Sequence, residues 1–382
     1  MKKKKNNADR APQVYGNLDK ISSKKSRSAK KKPVLIFVLL GLLLLSVGGF
    51  VFVKLWAGPP QVSNQQLNTP EHEGELAALP ETTEKPLAEL ADKNAGKYTF
   101  AVVGMDKFSK MTDVILLVMF DTAEHKLNVV SIPRDTLVNI PENVKKINIL
   151  YAYGDRHDNG VGRLMDGLRD FVGFDIGNYI VVNLQAFEEL IDAIGGVDYD
   201  VPIDMVYRDR RQDLNINIKK GMQHLNGAEA LKVVRFRAGY ANADIGRIAT
   251  QQDFMKAVAK QLLKTKNIAN LPEIIRIITE NTETNLTAAN ITYFAGELLK
   301  CKEEDINFHT MPRGGGSLIK GISYVFVHID DWIDMINSYL NPLDQLVTAK
   351  NVNLVIKAGA GYFSTRGGIA GGPDSFLNFE TE

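Results

Sequence analysis

Two aspartates near the start of the folded part of the chain are candidate ligands for a metal ion. Asp106 follows the apolar run 98–105, and Asp113 precedes the next apolar run, 114–120. Both runs are short and rich in β-branched residues, which is typical of buried strands. Carboxylates at neighbouring strand ends can share Mg2+, which takes one or two protein carboxylates plus phosphate oxygens of a substrate. The alternative is that both are turn or cap residues.

A second group of polar residues lies on a predicted helix, 245–264, for which Asp244 is a plausible N-cap. At 100° per residue, Asp244, Arg247 and Gln251 fall within about 60° of one another. They occupy the sector that continues as the apolar stripe of the helix. Burying Asp and Arg without partners is costly, so this end of the helix must face partners, water or an anion. A structural Asp244–Arg247 ion pair is the alternative.

Three further arginines suit an anionic ligand. Arg235 and Arg237 are two residues apart, just before the predicted helix, and Arg134 follows a third predicted strand, 127–132. Arginine forms forked hydrogen bonds to phosphate oxygens, which favours a phosphate-containing ligand. For Arg134 the alternative is a surface ion pair with Asp135.

The N-terminal region predicts a membrane anchor. Residues 2–32 are dense in lysine and arginine, although the whole chain is balanced at 46 basic and 45 acidic residues. Residues 34–53 carry no charge, and a helix of that length spans roughly 30 Å, the thickness of the bilayer core. Basic residues on the N-terminal flank indicate that this end is cytoplasmic. The alternatives are a cleaved signal peptide and a buried core helix.

The remaining chain is expected to form one α/β domain outside the cell. We expect a basic cytoplasmic tail (1–33), a transmembrane helix (34–53), a disordered extracellular linker (54–95), a folded domain (96–342) and a loosely ordered Gly-rich tail (343–382). Short apolar runs alternate with helical patterns in the domain, which indicates a sheet with helices on its faces. The single cysteine, Cys301, allows no intramolecular disulfide and fits a bacterium with a single membrane.

The motifs, taken in order, resemble the LytR-CpsA-Psr (LCP) proteins, bacterial enzymes that join anionic glycopolymers to peptidoglycan. The matching pieces lie within the motif core 97–265: 103–106 (VGMD), 112–113, 130–136 (VSIPRDT), 146–148, 194–198 (IGGVD), 225–231, 235–237 (RFR) and 244–252. The resemblance implies a three-layer α-β-α sandwich around a mixed central sheet, preceded by one transmembrane helix.

The resemblance also implies roles for individual residues. Asp106 and Asp113 correspond to ligands of Mg2+, with Mn2+ as an alternative. The implied catalytic residues are Asp106, Asp113, Arg134 and Asp244. The implied pyrophosphate-binding residues are Arg134, Lys146, Arg235, Arg237, Arg247 and Gln251. The chain departs from the family pattern at Met111 and Thr250, where arginine is usual or frequent, and two fewer cations would loosen phosphate binding or alter substrate preference.

The implied reaction moves an anionic glycopolymer from an undecaprenyl-pyrophosphate-linked donor to the N-acetylmuramic acid 6-hydroxyl of peptidoglycan, forming a phosphodiester. Either Asp106 or Asp113 would accept the proton. The expected location is the cell membrane, with the domain outside and no nucleic-acid partner. Two alternatives remain open: a pyrophosphatase acting on the same lipid-linked pyrophosphate, and a non-catalytic, membrane-tethered cell-wall regulator.

Overall fold

The computed structural model describes residues 58–60, 96–106, 109–210, 214–236, 243–264, 269–358 and 361–372, with the backbone alone for 243–249, 357–358 and 361. The predicted tail 1–33, the membrane helix 34–53 and most of the linker lie outside these ranges. Within them, no helix combines the length and apolar character needed to cross a membrane.

The described chain alternates strands and helices, as the sequence predicts. The strands are β1 (Lys97–Met105), β2 (Thr112–Asp121), β3 (Lys126–Ile132), β4 (Asn178–Asn183), β5 (Val197–Val201), β6 (Met205–Asp209), β7 (Leu214–Ile218), β8 (Gly221–Leu225), β9 (Thr282–Thr284), β10 (Ile306–Thr310), β11 (Arg313–Ile319), β12 (Ile322–Val327), β13 (Val355–Ala358) and β14 (Gly361–Ser364). The helices are α1 (Leu150–Asp155), α2 (Gly160–Val172), α3 (Leu184–Ala193), α4 (Gly227–Arg235), α5 (Ala243–Leu262), α6 (Leu271–Asn281), α7 (Ala288–Leu298) and α8 (Ile329–Met335).

Six strands form a central mixed sheet in the order β10-β3-β2-β1-β4-β9. β2 is antiparallel to both β1 and β3, whereas β4 is parallel to β1 and β10 is parallel to β3. Consequently β1, β3, β4 and β10 all end at one edge of the sheet, and β2 begins there. The predicted mixed α/β sheet is confirmed.

Helices pack on both faces of this sheet, because side chains alternate along each strand. Ala101 and Val103 of β1 belong to an apolar core that also contains buried residues of α2 and α8. Tyr98 and Phe100, on the opposite face, pack with Ile291 of α7 in a separate cluster. The phenyl ring of Phe100 meets the ring of Phe294 edge-on, with centroids 4.9 Å apart.

A further apolar cluster joins two small antiparallel pairs, β5–β8 and β6–β7, to α3, α4 and α5. α4 begins with a capping box, in which the Asn226 side chain accepts from the backbone N–H of Glu229 and the Glu229 side chain accepts from that of Asn226. The next residue, Gly227, is close to the backbone of Glu188 in α3, where no Cβ fits. This contact lets α4 approach α3 closely.

The prediction of a loosely ordered C-terminal tail is wrong for its described part. Val352 and Leu354 are fully buried in the main core, and β13 pairs with β14. The backbone N–H of Asn353 donates to the backbone oxygen of Asp170 on α2, at 2.7 Å. A few buried apolar residues therefore dock this segment against the main core.

We predict that Gly227→Ala destabilises the domain, by about 1–3 kcal/mol, because the added Cβ would force α4 away from α3. Gly296→Ala is the matched control: Gly296 is exposed on α7 with nothing near its Cβ position, so it should stabilise by about 0.5–1 kcal/mol. Urea denaturation measures both. Equal stability of the two variants would contradict the close α3–α4 contact.

Candidate functional site

The strand directions bring the predicted charged residues to one edge of the sheet. Asp106 follows the end of β1, Asp113 lies at the beginning of β2, and Arg134 lies two residues beyond the end of β3. Ligands of α/β proteins commonly bind at such carboxyl ends of strands. The edge formed by these three strands is therefore the candidate site.

Asp113 lies in an irregularity of the β1–β2 pairing. Gly104 is opposite Val114, whereas Met105 is opposite Thr112, so Asp113 has no partner of its own on β1. Such a bulge bends the strand and redirects a side chain, and bulges are common beside active sites. The Asp113 carboxylate receives a hydrogen bond from Nη1 of Arg134 at 2.7 Å.

Asp106 closes a tight turn at the end of β1. Its Oδ1 accepts from the backbone N–H of Ser109 at 2.8 Å and from the Ser109 hydroxyl at 3.1 Å. Its backbone N–H donates to the oxygen of Met111 at 3.0 Å, and Lys110 adopts a left-handed backbone with φ of 55°. Asp106 is thus a turn residue, as the alternative prediction had it, and the turn fixes its carboxylate next to the start of β2.

Arg134 and Lys146 form a half-buried cationic pair around Asp135. Lys146 Nζ lies 2.9 Å from Asp135 Oδ1, and Arg134 Nε lies 3.9 Å from the same oxygen. Lys146 Nζ also lies 5.7 Å from the ring centroid of Tyr324, within the range of a cation–π contact. The predicted ion pair of Arg134 with Asp135 is therefore present, but its distance is longer than that of the Arg134–Asp113 pair.

The neighbour of Lys146 in the chain is a fully buried lysine. Lys145 is 0 % exposed, and its ammonium donates to the backbone oxygens of Ile140 and, at 2.9 Å, Ala370. Burial lowers the pKa of Lys145, and Glu142 acts in the opposite direction. Successive side chains of an extended segment point in opposite directions, so Lys146 reaches the site while Lys145 attaches the loop to the C-terminal segment.

Two glutamines hold α5 against its neighbours. Gln252 Nε2 donates to the backbone oxygen of His309 at 3.0 Å and to the hydroxyl of Thr310, at the site edge of β10. Gln251 Nε2 donates to the backbone oxygen of Val234 at 3.0 Å. Gln251 therefore braces α4 against α5, next to the half-buried Arg235, and this contact uses one of the two Nε2 hydrogens.

Several predicted site residues lie partly or wholly outside the described structure. Arg237 is outside the described ranges, and the side chains of Asp244 and Arg247 are not described. α5 begins at Ala243, so Asp244 lies within its first turn, and the prediction of Asp244 as the N-cap was wrong.

The two departures from the family pattern differ in their surroundings. Met111 is 39 % exposed beside the Asp106 turn, whereas Thr250 is buried, with its backbone oxygen accepting from the Tyr199 hydroxyl at 3.3 Å. Methionine in place of arginine at position 111 therefore removes a cation at the site edge, whereas the Thr250 side chain lies in the domain interior.

Three contributors to the site were not predicted as such: Asp135, Lys145 and Gln252. Asp135 was considered only as a partner of Arg134. The adjacent lysines 145 and 146 carry a weak signal, since an extended pair places one of them inward. No signal in the sequence indicates that Gln252 contacts β10. Among the described residues, no group of three or more His, Cys, Asp or Glu side chains could hold a metal ion.

Comparisons with known proteins agree on one family. The model of the LytR_cpsA_psr family matches residues 63–339. The polyisoprenyl-teichoic acid–peptidoglycan teichoic acid transferase TagV of Bacillus subtilis (strain 168) is 27% identical over 274 residues, covering 68% of this chain and 65% of TagV. The regulatory protein MsrR of Staphylococcus aureus (strain COL) is 31% identical over 224 residues, covering 58% of this chain and 66% of MsrR. The chain thus matches less than two thirds of the length of either relative.

Solved structures show the same fold. The crystal structure of B. subtilis TagV has a TM-score of 0.56 at 24% identity, covering 66% of this chain and 98% of that one. The structure of TagT bound to LI-WTA has a TM-score of 0.53 at 20% identity, covering 73% of this chain and 98% of that one.

We predict different effects for the two adjacent lysines. Lys145→Ala removes a buried stem and leaves two backbone oxygens without their donor, which should cost about 2–5 kcal/mol of stability. Lys146→Ala should change stability by about 1 kcal/mol or less but weaken binding of inorganic pyrophosphate. Denaturation curves and calorimetric titration measure these effects. A Lys146→Ala variant that binds pyrophosphate as tightly as the unaltered chain would remove Lys146 from the site.

Proposed function

Because the chain belongs to the LytR-CpsA-Psr family, we propose that it transfers an anionic glycopolymer from a polyprenyl-pyrophosphate-linked donor to a hydroxyl of peptidoglycan. The observation that carries this proposal is the site edge itself. There Arg134 pairs with Asp113 and shares Asp135 with Lys146, and the start of β2 pairs with the end of β1, just before Asp106. Cations bound to carboxylates at a strand edge suit a substrate whose reacting centre is a pyrophosphate. The relative TagV is named a teichoic acid–peptidoglycan transferase, which supports the same substrates for this chain.

Binding of the donor is assigned to the basic side chains. Arg134 and Lys146 would donate to the pyrophosphate oxygens, with Arg235, Arg237 and Arg247 extending this set. Asp135 holds Arg134 and Lys146 on one side, since both ammonium and guanidinium groups approach its Oδ1. Asp113 holds Arg134 from the other side. Positioned cations of this kind stabilise charge that develops on the leaving group.

The reaction is a substitution at phosphorus. The oxygen of the acceptor hydroxyl, the N-acetylmuramic acid 6-hydroxyl in our proposal, forms a bond to the sugar-side phosphorus. The bond from that phosphorus to the bridging oxygen breaks, and the electron pair leaves with polyprenyl phosphate. The hydroxyl proton passes to the carboxylate of Asp106 or Asp113. Asp244 is assigned the orientation of neighbouring arginines.

The residues of this edge fit a hard divalent cation. Asp106 and Asp113 offer carboxylate oxygens at adjoining strand ends, and Mg2+ takes one or two such ligands together with phosphate oxygens. Mn2+ is the alternative ion. When bound, the ion would offset the charge of the pyrophosphate. The bulge that turns Asp113 out of the β1 pairing is the structural feature consistent with this assignment.

The proposal extends to location. Residues 34–53 would anchor the chain in the cell membrane with residues 1–33 in the cytoplasm, and residues 54–95 would connect the anchor to the domain outside. A polyprenyl-linked donor is held in the same membrane, while the wall provides the acceptor. No nucleic acid is involved in this reaction.

We predict that Arg134→Ala reduces transfer by roughly 10²–10³-fold, because the donor loses a positioned cation at the reacting phosphate. The assay supplies the protein with lipid-linked glycopolymer and peptidoglycan and measures polymer bound to the wall. Arg276→Ala is the matched control, since Arg276 lies on α6 and pairs locally with Glu273 and Glu280. Near-normal transfer by Arg134→Ala would refute its role.

We further predict that chelation of divalent cations abolishes transfer and that added Mg2+ restores it. Asp113→Asn keeps the shape of the side chain but removes its charge, so this variant should need a higher Mg2+ concentration for half-maximal rate. Transfer that is unaffected by the chelator would exclude the metal assignment. Release of free polymer phosphate without wall attachment would favour the pyrophosphatase, and binding without turnover would favour the regulator.

A further inference from the structure

A separate polar cavity lies beyond the site loop. Its volume is about 230 Å³, and its lining includes Asn139, Arg163, Asp166, Arg169, Asp170 and Asn353. These residues come from three parts of the chain: the loop after β3, helix α2 and the C-terminal segment. The proposed function uses none of them.

The wall of this cavity is held in place by hydrogen bonds among its own residues. Asn139 Nδ2 donates to Asn353 Oδ1 at 2.8 Å, and Asn353 Nδ2 donates to Asp170 Oδ2 at 3.3 Å. Arg163 Nη2 lies 3.0 Å from both carboxylate oxygens of Glu142. Asn139 Oδ1 also accepts from the backbone N–H of Ala370 at 2.8 Å. Asn139, Asn353 and Arg163 are thus held in place before any ligand arrives.

The guanidinium of Arg169 makes no hydrogen bond within the described part of the chain. Its Nε is buried and has no acceptor there. The nearest carboxylate oxygens belong to Asp175 at 3.7 Å and Asp166 at 3.9 Å, which is too far for hydrogen bonds. The Arg169 side chain lines the cavity and is 42 % exposed, so a ligand oxygen can reach its Nη donors.

The balance of charge around the cavity opposes an anionic ligand. The lining itself carries two guanidinium groups, Arg163 and Arg169, and two carboxylates, Asp166 and Asp170. Both arginines also have a carboxylate partner outside the lining. A ligand that both donates and accepts hydrogen bonds without net charge suits this mixture. Hydroxyl groups on neighbouring carbons, as in a sugar, both donate and accept hydrogen bonds and carry no charge. The volume corresponds to roughly eight water molecules, which suits a single sugar ring.

The cavity lies within reach of the site. Asn139 follows Arg134 by five residues, and an extended chain spans at most ~3.6 Å per residue, so these residues are no more than roughly 18 Å apart. The loop between them is held by Val138 N–H donating to the Lys145 oxygen at 2.9 Å and by the Leu137–Lys146 bridge. A short stretch of glycan could therefore occupy the cavity and the site together.

We infer that this cavity is a subsite for one neutral sugar ring of the peptidoglycan acceptor strand. Arg169 would donate to a ring substituent, while Asp166 would accept from sugar hydroxyls. The acceptor is favoured over the donor because the donor polymer is anionic, whereas the two guanidinium groups of the cavity lining are matched by two carboxylates. This inference rests on the proposed function for the identity of the acceptor.

The test uses ligand-observed NMR to measure binding of N,N′-diacetylchitobiose to the full-length chain. This ligand is a neutral disaccharide of wall-type sugar. We expect saturable binding that weakens roughly ten-fold to a hundred-fold in Arg169→Ala, the effect of losing one charged hydrogen-bond donor. Asp166→Asn, at an exposed carboxylate, should weaken it as well and provides a second variant if Arg169→Ala does not fold. Arg276→Ala is the control and should bind normally.

The inference would be overturned by absence of saturable chitobiose binding, or by equal binding of both variants and the unaltered chain. Tighter binding of inorganic phosphate than of chitobiose, lost in Arg169→Ala, would also overturn it by identifying an anion site. The titration contains neither donor nor metal ion. Chitobiose binding without any transfer activity would therefore refute the proposed function alone, whereas transfer with an unchanged acceptor KM in Arg169→Ala would refute the subsite alone.

Discussion

The direction of the strands is the constraint on which the candidate site depends. Because β2 runs against both β1 and β3, the end of β1, the beginning of β2 and the end of β3 meet at one edge. Asp106, Asp113 and Arg134 come together for that reason. The Asp113–Arg134 contact at 2.7 Å then crosses from β2 to the loop after β3 and fixes the guanidinium relative to the carboxylates.

The loop that carries Arg134 and Lys146 is stabilised from outside the sheet. Lys145, buried beneath it, donates to the oxygen of Ala370, and Asn139 contacts both Asn353 and Gly368. The C-terminal segment is thus part of the structure that positions the cations. The same contacts form one wall of the polar cavity, so the site loop and the inferred sugar subsite share a single rigid support.

The strands and helices with strong apolar periodicity were predictable from the sequence. β1, β2 and β3 lie close to the predicted runs 98–105, 114–120 and 127–132, because burial on one or both faces produces a clear pattern. The hairpin strands within 197–225 and the C-terminal segment were not predictable from the sequence, since short polar strands and glycine-rich stretches lack that pattern. The sequence indicated Arg134 and both aspartates, but contacts such as Gln252 to Thr310 join residues 58 positions apart and carry no local signal.

In the proposed reaction, the phosphorus next to the sugar is transferred to a hydroxyl of the wall. The most direct measurement follows a donor labelled with phosphorus-32 at that position, incubated with the protein, Mg2+ and peptidoglycan. We expect the label to become attached to peptidoglycan and to be recovered as the phosphate of muramic acid phosphate after hydrolysis of the wall. Label recovered as free glycopolymer phosphate, with none attached to the wall, would contradict it.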